Sequence, residues 1–154
     1  MISDMKNKIE TFLYVAVILW FAHCIGDFAL QADFLAAFKK NYCFMCFIHS
    51  FICAGMLMCS FMFIIWTDLL DGVHKVKKVK LYRMLFFLFF FFLFSHCAID
   101  QMKAGGLFNM LLGKDPSNLC CQMTGALWID QALHFVSIML GYYLFSLRLT
   151  RCNR

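Results

Sequence analysis

The chain has 154 residues, 63% of them hydrophobic and only 15% charged, too few charges to clothe a soluble domain of this length. A net charge of +5 would raise nucleic acid as a partner in a soluble protein, but no alternation of aromatic and basic residues accompanies it. The basic residues read instead as flanks of apolar spans, so the class excluded is a nucleic-acid binder and the class implied is an integral membrane protein.

A single proline and no Gly/Ser or charged linker predict one transmembrane domain over residues 1–154. The expected fold is all-α, a polytopic bundle of four transmembrane helices with short amphipathic segments, because a spanning segment must satisfy its own backbone hydrogen bonds. The first span covers residues 11–30 and is apolar except for His23 and Asp27. Twenty residues at about 1.5 Å each cover about 30 Å, a full hydrocarbon core. Lys6 and Lys8 before an apolar run resemble a signal peptide, but Asp4 and Glu10 interrupt the basic region and no small-residue cleavage site precedes His23, so this span is expected to be retained. Residues 31–41 read as an amphipathic continuation ending in Lys39 and Lys40.

The second span, 42–66, contains His49, and the connection after it carries a basic cluster, Lys75, Lys77, Lys78 and Lys80, with His74 beside it. The third span, 81–99, holds a run of phenylalanines from Phe86 to Phe94 expected to serve packing and lipid contact, and closes in His96, Asp100 and Lys103. Turn signals follow at Gly105-Gly106 and at Lys114-Asp115-Pro116. The fourth span, 125–147, carries Asp130, Gln131 and His134. With four spans, ten of the lysines and arginines share the side of both termini and four (Lys39, Lys40, Lys103, Lys114) lie opposite, so both termini are expected in the cytoplasm.

That topology sets His23, Asp27, His49, His96, Asp100, Asp130 and His134 at one depth, in the outer half of the membrane, and leaves out only His74, which is expected to be unrelated. Three pairs, His23/Asp27, His96/Asp100 and Asp130/His134, are four residues apart and share a helical face. Ionisable groups in hydrocarbon are costly unless satisfied, and they mark functional sites by default. Imidazole and carboxylate are ordinary ligands for zinc, iron and manganese, and helical bundles assemble such sites from pairs on facing helices. The expected cofactor is a divalent metal, zinc first, with all seven residues as candidate ligands; seven donors suffice for two ions or for one ion and its supporting shell. Asp27, Asp100 and Asp130 are the candidate general bases for hydrolysis by metal-activated water. Gln31, Lys39, Lys103 and Gln131 are the candidate substrate contacts, the lysines toward an anionic headgroup or phosphate, although Lys103 has an alternative as an ion-pair partner of Asp100.

Two alternatives stand beside the metal reading: a metal-free His–Asp network that fixes helix register, and a proton or ion path. The number of imidazoles favours metal. Of the nine cysteines, Cys24, Cys53, Cys59 and Cys97 lie inside apolar runs and read as small hydrophobes. Cys43-x-x-Cys46 has metal-like spacing without a second pair, and Cys120-Cys121 lies in a loop. Ala22 and Gly26 offer a small-residue face for close helix approach.

The blocks His23-x3-Asp27-Phe28-x-Leu30-Gln31 with Lys39, then His49, then His96-x2-Ile99-Asp100-x2-Lys103, then Asp130-Gln131-x2-His134 resemble the domain of unknown function 3307 family, small bacterial and phage membrane proteins. The resemblance runs from the first span to the last. It implies a multi-helix integral membrane protein in the inner membrane of a bacterium and no particular activity. In site chemistry the arrangement is also similar to membrane-bound metal-dependent hydrolases that use His/Asp clusters. Its outer-leaflet depth suggests a membrane lipid or lipid-linked substrate. The non-enzymatic alternative is a transporter or an accessory subunit, with a second copy of the chain or another membrane protein as partner.

Overall fold

The computed structural model describes residues 2–30, 43–67, 76–111 and 127–152. The described residues are helical almost throughout. Helix α1 (Ile2–Cys24) passes without a break into a π-helical turn, Ile25–Ala29. Helices α2 (Cys43–Trp66), α3 (Lys78–Ala104), the short α4 (Leu107–Leu111) and α5 (Leu127–Cys152) follow. Four of these helices are long and apolar enough to cross a membrane, with candidate spans Ile9–Ala29, Phe44–Trp66, Lys78–Ala104 and Leu127–Cys152. Helix α3 thus runs beyond 81–99 at both ends, and α5 runs five residues past 147.

The helices form a ring in chain order. Helix α1 packs on α2, α2 on α3 and α3 on α5. The ring closes through a slimmer α1–α5 interface, where Phe12 faces Tyr142 and Trp20 meets the edge of Phe135. Gly106 takes a positive φ of 77° between α3 and α4, a conformation cheap only for glycine. That turn folds α4 back so that Phe108 is buried with Ile99, against Ile129 and Leu133 of α5.

One half of the interior is apolar. Val15 and Leu19 of α1, Leu57 and Phe61 of α2, Leu88 and Phe92 of α3, and Ile138 and Phe145 of α5 form a continuous core. The phenylalanine run divides as its helical rotation requires: Phe92 is buried, while Phe86, Phe87 and Phe94 are each more than half exposed. A belt of exposed apolar side chains, including Tyr14, Val17, Phe21, Phe51, Trp66 and Trp128, surrounds the bundle. In water this belt would be an aggregation surface; in a bilayer it meets acyl chains. The other half of the interior is polar, and it holds the site.

Candidate metal centre

Among the described residues, eight polar side chains are buried: His23, Asp27, His49, Ser50, His96, Asp100, Asp130 and His134. Ser50 donates to the Cys46 carbonyl at 2.8 Å and so satisfies itself on its own helix. The other seven are the His/Asp set, and they converge.

The π-turn aims Asp27. A π-turn is wider than an α-turn and winds each residue through a smaller angle, so Asp27 moves off the His23 face toward α2. Its Oδ1 lies 3.0 Å from Nε2 of His49, while its Oδ2 is 3.9 Å from Nε2 of His23. The turn is closed by the Leu30 N–H on the Ile25 carbonyl at 2.9 Å. Gly26 makes the approach possible: a Cβ there would stand 3.0 Å from the Cα of Cys53 on α2.

From α2, His49 points into the centre. Its Nε2 is 3.2 Å from Nε2 of His96 and 3.4 Å from Oδ2 of Asp100, both on α3. From α5, Nε2 of His134 is 3.4 Å from Oδ1 of Asp130 and 3.8 Å from Oδ1 of Asp100. The His96 and His134 rings stack with centroids 4.1 Å apart, and the His23 ring lies 4.7 Å from that of His134. His23 is fully buried, and neither ring nitrogen has a hydrogen-bond partner among the described residues.

Lys103 and Gln131 support the carboxylates. Lys103 Nζ is 2.6 Å from Oδ2 of Asp130, an ion pair across the α3–α5 interface. Gln131 Nε2 donates to Oδ2 of Asp27 at 2.9 Å and to Oδ2 of Asp130 at 3.3 Å. Gln131 therefore ties α5 to the π-turn. Three buried carboxylates face one ammonium here, so with neutral imidazoles the cluster is anionic and suited to cations. Gln31 and Lys39 lie outside the described residues, as do His74, Cys120 and Cys121.

Cys53 reads in the sequence as a small hydrophobe, but it also borders the cluster. Its Sγ lies 3.7 Å from Nε2 of His49, one turn along α2, and the residue is fully buried. The four-residue step from His49 is the signal that marks it. Cys46, by contrast, meets Cys97 of α3, with sulfurs 3.6 Å apart.

Three sets of donor atoms each lie within 4.8 Å of one another: Asp27, His49, Cys53 and His96; His23, His96 and His134; Asp100, Asp130 and His134. Such sets could hold a metal ion. Fold and site together define a class: a multi-pass helical membrane protein with a buried His/Asp cluster competent for metal. The family model named Protein of unknown function (DUF3307) matches residues 15–152, and the chain belongs to that family. No curated protein and no solved structure matches it.

Proposed function

We propose that the chain is a membrane-embedded metalloenzyme that hydrolyses an ester bond in a lipid or lipid-linked substrate, with zinc as the metal. The observation that carries this reading is the convergence of four imidazole Nε2 atoms and three carboxylates in a buried interior. Donors about 2.0–2.1 Å from a tetrahedral zinc stand about 3.3 Å apart. The separations of 3.0, 3.2 and 3.4 Å from His49 Nε2 to Asp27, His96 and Asp100 are of that size. His23 adds weight, because a metal-free network would be expected to satisfy its ring nitrogens. A proton path would need polar groups continuing to the other end, where the described interior is Leu19, Leu57, Phe61, Phe92 and Ile138.

Zinc with an open position lowers the pKa of bound water to about 7 and polarises an ester oxygen. Asp27, Asp100 or Asp130 would take the proton of the attacking water. The water oxygen bonds to the carbonyl carbon or phosphorus, the bond to the leaving alkoxide breaks, and that oxygen takes up the proton. A largely apolar groove of about 270 Å³ where α1 and the π-turn meet α2, lined by Val17, Phe21, Ala22, Ile25, Met56 and Ser60, supports a lipid substrate. In this reading the chain sits in the inner membrane of a bacterium, both termini are cytoplasmic, and Lys39 meets an anionic headgroup, while Lys103 is taken up by its ion pair with Asp130.

The test is elemental analysis of detergent-purified protein together with release of the hydrolysed group from lipid vesicles. At least one zinc per chain is expected. His96→Ala should lose both metal and turnover while the helical circular dichroism persists. Folded, metal-free protein would sink the reading.

A further inference from the structure

We infer that the cluster is built for two divalent cations, with the Asp100 carboxylate between them. This rests on the metal-site reading above and extends it from one ion to two. The donors are too many for one ion: a structural zinc takes four, and here four imidazoles, three carboxylates and the Cys53 thiol share one interior.

Two of the donor sets have no residue in common, and the third, His23 with His96 and His134, joins them. Asp27, His49, Cys53 and His96 form one set within 4.8 Å, carried by the π-turn, α2 and α3. Asp100, Asp130 and His134 form another within the same limit, carried by α3 and α5, and the two sets share no residue. The two oxygens of Asp100 face different sets. Its Oδ2 is 3.4 Å from Nε2 of His49 and 3.7 Å from Nε2 of His96, in the first set. Its Oδ1 is 3.8 Å from Nε2 of His134, in the second. One carboxylate thus reaches both positions with separate oxygens, as a bridge requires. Paired catalytic ions stand about 3.5–4 Å apart, a spacing that one carboxylate spans.

His23 supplies the independent sign that the cluster awaits a ligand. It is fully buried, its ring packs beside those of His96 and His134, and both of its nitrogens lack a hydrogen-bond partner among the described residues. Cys53 marks the two positions as unequal. The first set contains a thiol that suits softer ions such as zinc, and the second contains only oxygen and imidazole donors.

Chelator-treated full-length protein in detergent, dialysed against Zn²⁺ and assayed for bound metal, should take up two equivalents per chain. Loaded instead with Mn²⁺, it should give the electron paramagnetic resonance spectrum of an exchange-coupled pair. Asp100→Asn should abolish the coupling. His134→Ala, which removes a donor of the second set and none of the first, should lower uptake from two equivalents to one with helical content unchanged. One equivalent in the unmutated chain overturns the two-ion centre and leaves the single-metal reading standing. No uptake overturns both. Two uncoupled ions, or coupling that survives Asp100→Asn, overturn Asp100 as the bridge.

Discussion

Asp130 is fully buried, and the Lys103 ammonium 2.6 Å away gives it a cationic partner from the facing helix. The Lys103 side chain is 30% exposed, so the pair sits at the rim of the cluster and water screens part of its attraction. Removing the lysine leaves a buried carboxylate held by Gln131 and His134, a loss of roughly 1–3 kcal/mol. A bound cation would replace the missing charge. Lys103→Gln should therefore lower the melting temperature of chelator-treated protein more than that of the metal-loaded form. Adding Asp130→Asn to Lys103→Gln should recover much of the chelated form's loss, because the unpaired charge is gone. Equal losses in both forms would show that the lysine serves packing alone.

At the scale of the element, the α1–α2 crossing decides whether Asp27 reaches His49. A Cβ at residue 26 would meet the Cα of Cys53 at 3.0 Å, and backbone cannot swing aside as a side-chain tip can. Gly26→Val should push α1 from α2, lengthen the 3.0 Å Asp27–His49 contact and weaken metal binding at least tenfold by equilibrium dialysis. Gly55 is the matched control on α2, since a Cβ added there would meet nothing within 4 Å. Gly55→Ala should leave metal binding unchanged and, if anything, gain up to about 1 kcal/mol in helix propensity. Comparable binding losses at both positions would remove the special role of the crossing. The same crossing explains what the sequence reveals and what it hides. His23, Asp27, His49, His96, Asp100, Asp130 and His134 are legible because a polar residue in an apolar span needs a reason, and four-residue steps fix a face. The π-turn is hidden because that spacing presumes an α-helix. Cys53 is hidden because thiols are common in apolar spans. The partners of Lys103 and Gln131 depend on how α3 and α5 rotate against each other, which no spacing along one helix encodes.

The whole molecule has two unlike ends. At one, the start of α3 brings Lys78, Lys80 and Arg83 beside the end of α5 with Arg148 and Arg151, and the Arg148 guanidinium sits 5.5 Å from the Phe87 ring centroid. Toward the other end lies the His/Asp cluster, reached late in α1 and α3 and early in α2 and α5. The apolar core separates the two. Ten of the fourteen lysines and arginines belong to the first end by chain order, and such an excess is retained on the cytoplasmic side during insertion. By the same rule the cluster would lie in the outer leaflet, and under the proposed function its substrate would be a lipid of that leaflet. Green fluorescent protein fused after Arg154 should fluoresce, and alkaline phosphatase fused at the same point should stay inactive. The opposite pattern would turn the bundle over, put the cluster in the inner leaflet and move the search for its lipid to the cytoplasmic face.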